Sequence, residues 1–176
     1  VTRRLAAGEV DIFHFSGHAV FGGGATGQIG FLFPEGMLGP DALSQTLAGA
    51  AVPPVVFANG CYTGRALGRR AGGSGGIVAG PTSPSTPDSG LGARLSLPSA
   101  FIGAGARMYL GCLWQVETEA AARFAVAFYR QLLRGETAGD ALSRARKVAA
   151  NYWMTHAAYV MYGDPRMRLS RHTGDR

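Results

Sequence analysis

His18 and Cys61 are the two side chains in this chain whose types and settings could do covalent chemistry together. A thiolate is a strong nucleophile, and a neutral imidazole can take the thiol proton and later deliver one to a leaving amine. Each residue follows a short apolar run that ends in a glycine-bearing turn. Val10-Asp11-Ile12-Phe13-His14-Phe15 is stopped by Ser16-Gly17-His18, and Val55-Val56-Phe57-Ala58 by Asn59-Gly60-Cys61-Tyr62-Thr63-Gly64. The backbone N–H groups of Cys61 and Ala19 would face one rim, where they could hold the oxyanion of a tetrahedral acyl intermediate. A core thiol and a turn histidine that never meet would account for the same residues, because one Cys and one His carry little specificity.

The elements that must bring the pair together are two strands. Both apolar runs read as central strands of a parallel sheet, buried on both faces. Reactive groups in open α/β sheets lie beyond the carboxyl ends of such strands, which puts His18 and Cys61 on the same rim if the strands are neighbours. The 43 residues from one to the other leave room for a crossover. Gln28 to Phe33 reads as a further strand ended by Pro34-Glu35-Gly36, and Pro40 suits the first turn of a helix through about Leu47. That helix returns the chain to the Val55 strand, with a right-handed crossover expected.

Beyond Cys61 the composition turns to Gly, Ser, Pro and Thr from Ala71 to about Ser96. A flexible loop is expected there, either a plain insertion or a cover for the site. Regular structure resumes with a helix near Pro98 to Ala104 and a strand Met108 to Trp114. Two amphipathic helices follow, about Thr118 to Arg134 and Thr137 to Asn151, with Thr118 expected as N-cap of the first, Gly135 as its stop, and Thr137 with Asp140 as an approximate capping box for the second. A last strand, Ala158 to Tyr162, closes at Gly163-Asp164-Pro165. Strands alternating with helices and glycine turns predict a three-layer α/β fold with a mostly parallel central sheet. One domain over residues 1–170 and a tail over 171–176 are expected. The start at Val1, so close to a central strand, suggests the C-terminal part of a longer chain.

Composition narrows the function. The chain has 176 residues, 47% hydrophobic and 16% charged, with no apolar run long enough to span a bilayer and no signal-peptide pattern. Cys61 and Cys112 make a poor disulfide framework, so a reducing, cytoplasmic setting is expected. The net charge of +6 is scattered over helix faces and the tail without an aromatic-interleaved stripe, which argues against nucleic acid as a partner. His14 lies inside its strand and suits a core or rim hydrogen bond better than catalysis. Cys112 suits a small buried hydrophobe. His14, His18, Cys61 and Cys112 lack the paired short spacing of structural zinc sites, so no metal or other cofactor is expected. His156 and His172 carry no suggestive context.

The order and surroundings of the His and Cys turns resemble the caspase-like cysteine peptidases, most closely the CHAT domain. Ile12-Phe13-His14-Phe15-Ser16-Gly17-His18 is similar to that family's His motif and Val55 to Gly64 to its Cys motif. Leu97 to Arg107, Leu113-Trp114-Gln115-Val116 and Tyr159 to Pro165 are similar to further landmarks, in order. The resemblance implies a caspase-like sandwich lacking its first strands, which in that family precede the His strand, and a cysteine endopeptidase with His18 as base and Cys61 as nucleophile. It also implies an oxyanion hole at the Cys61 and Ala19 N–H groups and a substrate pocket touched by Asn59, Trp114 and Gln115. Ala19 stands where the family has glycine, and its Cβ narrows the site. An upstream repeat of the tetratricopeptide type or a sensor domain in the same chain, a specific protein substrate and a bacterial signalling or defence setting follow from the same resemblance. A catalytically inactive interaction module and a Cys-His acyltransferase or esterase are the alternatives. Glu117 and Glu119 near one pocket wall and Arg65, Arg69 and Arg70 after the Cys point to opposite substrate charges.

Overall fold

The structure is a computed structural model that describes residues 1–21, 29–65, 96–152 and 154–169. The Gly22 to Gly24 run, most of the Ala71 to Ser96 segment and the tail 171–176 lie outside these residues. A short helix α1 (Thr2–Ala6) precedes strand β1 (Ile12–Ser16), and three short strands follow: β2 (Ala19–Phe21), β3 (Ile29–Phe33) and β4 (Gly36–Leu38). Helix α2 (Pro40–Leu47), with Pro40 in its first turn, leads into β5 (Val55–Asn59). Then come α3 (Leu97–Ala104), β6 (Met108–Cys112), α4 (Thr118–Leu132), α5 (Ala138–Val148), a single turn α6 (Thr155–Ala158) and β7 (Tyr159–Gly163).

The main sheet runs in the order β1-β5-β6-β7. β1, β5 and β6 are parallel, and β7 is antiparallel to β6. Every residue of β5 and β6 is buried, as their uninterrupted apolar runs require of strands covered on both faces. Side chains alternate between the faces. Val55, Phe57, Met108, Leu110 and Cys112 pack against α4 and α5, in a cluster with Phe124, Phe128, Leu132, Ala141 and Tyr159. Phe13, Phe15, Val56, Ala58 and Tyr109 face the other way, toward α2, α3 and β3, with Leu43, Leu47, Phe101 and Phe31. Helices thus cover the sheet on both sides, the three-layer α/β arrangement expected from the sequence.

The second sheet, β2-β3-β4, is antiparallel and small. It is seated by aromatic packing: Phe31 lies 4.4 Å from Phe15 and 5.7 Å from Phe13, ring centre to ring centre. β4 forms where a simple turn was expected, because Gly36 at φ +132° folds the chain back tightly enough for Phe33 to pair with it.

Helix ends lie near those expected, but α4 stops at Leu132 and α5 at Val148, short of Arg134 and Asn151, and one cap differs. Ser96 caps α3 in a reciprocal box with Ser99, and Thr137 accepts from the Asp140 N–H at 3.1 Å. Thr118 does not cap α4. It is the first helical residue, and Glu117 occupies the N-cap without a side-chain hydrogen bond, so that first turn has only the Glu119 carboxylate to offset its exposed N–H groups. Among the described residues no helix is long and apolar enough to cross a membrane.

Candidate functional site

Strand register decides how near the two turns come. β1 and β5 pair in parallel from Ile12 opposite Val55 to Ser16 opposite Asn59. The pairing continues one residue further, where Gly17 N–H donates to the Asn59 carbonyl at 3.4 Å. His18 follows Gly17, and Cys61 lies two residues beyond Asn59, both just past the carboxyl ends of adjacent strands. Contact between the turns is tight enough to exclude a side chain: a Cβ on Gly60 would stand 2.8 Å from the Gly17 carbonyl oxygen and 3.1 Å from the Phe15 ring. Gly60 is therefore a spacing device between the two turns.

The Cys turn is stiff because side chains from elsewhere hold it. Tyr62 sits at φ +65°, a conformation that costs a non-glycine residue and persists only where the surroundings impose it. Thr63, 1% exposed, supplies much of that constraint. Its hydroxyl bridges the Ala58 and Gly60 carbonyls at 2.6 and 2.8 Å and accepts from the Cys112 N–H at 3.2 Å. Its carbonyl accepts from the Tyr109 hydroxyl at 2.7 Å. Gly64 N–H donates to the Cys112 carbonyl at 2.8 Å, and the Tyr162 hydroxyl donates to the Gly64 carbonyl at 2.8 Å. Gly64 must lack a side chain, since a Cβ there would meet Val160 at 2.7 Å and the Gly111 backbone at 2.8 Å. The turn is thus fixed to β6 and β7 over its whole length.

Cys61 emerges from this support half-buried, as a free thiol. Among the described residues no backbone acceptor takes its N–H. His18 is exposed, and its carbonyl accepts from the Leu32 N–H at 2.9 Å. That bond makes His18 and Leu32 a hydrogen-bonded pair of the small sheet. Ala19, next along and opposite Phe31, then falls in a non-hydrogen-bonded pair and turns its N–H away from β3.

The remaining nominated residues lie around this rim. Asn59 is buried, with its carbonyl oxygen accepting from the Tyr159 hydroxyl at 2.7 Å and its amide nitrogen donating to the Ala121 carbonyl at 3.4 Å. Both ends of its amide are thus held from beneath. Trp114 follows β6, half-buried, with its indole N–H donating to the Met154 carbonyl at 3.2 Å, and Gln115 beside it is exposed. Arg65 donates from Nε to the Leu113 carbonyl at 2.9 Å and lies over the Tyr62 ring at 4.6 Å. Glu119 is exposed and already hydrogen-bonded twice by Arg123, which holds its carboxyl below the usual range.

Two side chains outside the rim shape its underside. Burial raises the Tyr159 hydroxyl far above its ordinary range, so it stays a neutral donor to Asn59; its ring stacks on Phe124 at 3.6 Å. Burial pushes the Cys112 thiol up to about 12, which keeps it protonated and unreactive near neutral pH. Sequence reasoning missed Thr63, Tyr109, Tyr159 and Tyr162 as supports. Thr63 alone had a signal, a hydroxyl two residues after the Cys in a turn. His14 lies on the α4 face, its Nδ1 2.9 Å from the Tyr129 hydroxyl and its ring edge-on to Phe57. Among the described residues no three His, Cys, Asp or Glu side chains stand close enough to hold a metal ion.

Among the described residues an exposed imidazole and a half-buried thiol follow neighbouring strand ends, and no sheet bond takes the Cys61 or Ala19 N–H; these are the residue types and donors that acyl transfer by proton relay and oxyanion binding uses. A family model described as the CHAT domain matches residues 1–164. No curated protein matches the chain significantly.

Proposed function

We propose, because this chain belongs to the caspase-like CHAT-domain family, that it is a cysteine endopeptidase acting on a specific protein substrate. Cys61 gives its proton to His18 and its sulfur attacks the peptide carbonyl. The oxyanion that forms is held by the Cys61 and Ala19 N–H groups. The C–N bond then breaks, with the proton passing from His18 to the leaving amine, and an acyl-thioester remains on Cys61. His18 next takes a proton from water, which attacks the thioester and releases a carboxylate and the free thiol.

The observation that supports this reading is the β1–β5 pairing, carried one residue further by the Gly17 N–H bond to the Asn59 carbonyl, which brings the turns bearing His18 and Cys61 into contact at Gly17 and Gly60. Asn59, Trp114 and Gln115 are assigned to the substrate pocket, Asn59 as its floor and the other two as the wall beyond β6. Regulation by an upstream repeat or sensor domain, in a cytoplasmic bacterial signalling or defence pathway, completes the proposal.

Ala19 favours one alternative, a module that keeps the fold without turnover, since its Cβ crowds the oxyanion side of the site. The test incubates full-length protein, wild type and Cys61→Ala, with a peptide library and a thiol-reactive probe. Cleavage and labelling lost in Cys61→Ala, with cleavage also lost in His18→Ala, support the peptidase. Equal behaviour of wild type and Cys61→Ala sinks it. Turnover of small esters without peptides assigns the dyad to an acyltransferase or esterase.

A further inference from the structure

Sheet order tells which side of Cys61 receives which half of a substrate. His18 ends β1, on one side of β5, and β6 lies on the other. His18 must hand a proton to the leaving amine, so the amine half lies on the β1 side. The acyl half, and with it the side chain just before the scissile bond, lies toward the end of β6. Arg65 is fixed at that end. Its Nε–H bond to the Leu113 carbonyl at 2.9 Å and its seat over the Tyr62 ring at 4.6 Å hold the guanidinium, and neither contact among the described residues uses its two Nη groups.

From this placement we propose that the site prefers a substrate with Asp or Glu immediately before the scissile bond, its carboxylate taken by the Arg65 guanidinium. The inference rests on the peptidase reading and names its substrate class. A carboxylate meets a guanidinium edge through two parallel N–H···O bonds, and Nε and one stem are already committed in a way that aims the remaining donors. Among the described residues no carboxylate forms an ion pair with Arg65; the ion pairs there join Arg123 to Glu119, Arg144 to Glu136 and Arg166 to Asp164. The competing acidic wall is weaker. Glu119 is bound by Arg123 on the exposed face of α4, and Glu117, without a side-chain hydrogen bond at the N-cap of that helix, is exposed and screened by solvent. Half-buried Arg65, four residues after Cys61 and without an ion-pair partner among the described residues, is the stronger selector.

The test measures kcat/KM of the full-length protein on peptides that differ only in the residue before the scissile bond, all twenty represented. Wild type is expected to cleave the Glu and Asp peptides about tenfold or more faster than their Gln and Asn isosteres. Arg65→Gln should erase that ratio, Arg65→Glu should move the preference to Lys and Arg, and Arg65→Lys should keep the acidic preference in weakened form. Equal labelling of Cys61 by iodoacetamide and unchanged thermal midpoints show that each variant is folded; Arg65→Lys carries the comparison if the reversed charge unfolds the turn. Cys61-dependent cleavage with no acidic preference, or with a preference unmoved by both Arg65→Gln and Arg65→Lys, overturns the inference and leaves the peptidase reading standing. No Cys61-dependent cleavage of any peptide overturns both.

Discussion

Replacing Thr63 by Val keeps the shape of the side chain and removes only its hydroxyl. In the structure that oxygen has three partners: the Ala58 and Gly60 carbonyls, which share its proton, and the Cys112 N–H, which it accepts. The Gly60 carbonyl keeps the Thr63 N–H at 3.4 Å, so its loss is small. The Cys112 N–H has no such reserve, and a buried donor left unmatched costs about 1–3 kcal/mol. Adding about 1 kcal/mol for the bond to Ala58, Thr63→Val is expected to lose about 2–4 kcal/mol. Thr63→Ser is the control, since it keeps every polar contact and sheds one methyl, worth about 0.5–1.5 kcal/mol by analogy with Ile→Val. Urea unfolding followed by intrinsic fluorescence gives both values, provided the slope with denaturant is unchanged. Peptide cleavage should fall through kcat more than KM in Thr63→Val, because the turn that presents Cys61 loses its brace while the pocket walls stay in place. If Thr63→Ser is the more destabilised of the two, the side chain acts by filling space and the hydrogen-bond argument fails.

Three further outcomes follow from the same contacts. Gly60→Ala should cut peptide cleavage steeply and cost about 1–3 kcal/mol, because its Cβ meets the Gly17 carbonyl at 2.8 Å and pushes the two turns apart; near-normal activity would mean the seam yields easily. In native protein iodoacetamide should alkylate Cys61 alone, with Cys112, fully buried and pushed up to about 12, reacting only after unfolding; peptide mapping by mass spectrometry decides this. His14 is exposed overall, but packing of its ring against Phe57 and Tyr129 strips part of its water and lowers its pKa, so the unfolded chain takes up that proton first as pH falls. The His14 contribution to stability is therefore complete above about pH 6.5 and is lost as pH drops below it, and wild type should lose more stability than His14→Asn between pH 7.5 and 5.5 in parallel denaturant titrations.

What could be read from the residues was what depends on short stretches of chain. β5 and β6 were legible because strands covered on both faces are apolar throughout, and α2 because Pro40 marks a helix start and Leu47 ends its apolar pattern. The length of the crossover allowed the His and Cys strands to be neighbours, and the pairing of β1 with β5 makes them so. β2 and β4 were not legible: each has three residues, too few to show a period, and each exists only because β3 lies between them. The direction of β7 was equally hidden, since nothing in Tyr159 to Gly163 says which way a neighbour runs. Thr118 drew the N-cap assignment by its hydroxyl, yet the chain enters α4 one residue earlier. The supports of the site were invisible for a different reason. Tyr109, Tyr159 and Tyr162 read as apolar strand residues, and their hydroxyls find Thr63, Asn59 and Gly64 across 46, 100 and 98 residues of chain.

The nucleophile turn hangs from β6 and β7 through Thr63, Gly64 and Arg65, whereas the His turn hangs from the small sheet through its bond with Leu32. Among the described residues the backbones of the two turns meet along the five pairs of β1 with β5, the Gly17 bond to the Asn59 carbonyl, and Gly60 against the Gly17 carbonyl. Alignment of base and thiol is consequently a property of a joint, separable from the integrity of either half. A substitution in that joint can leave each turn locally intact, and the protein fully folded, while throwing the two out of true.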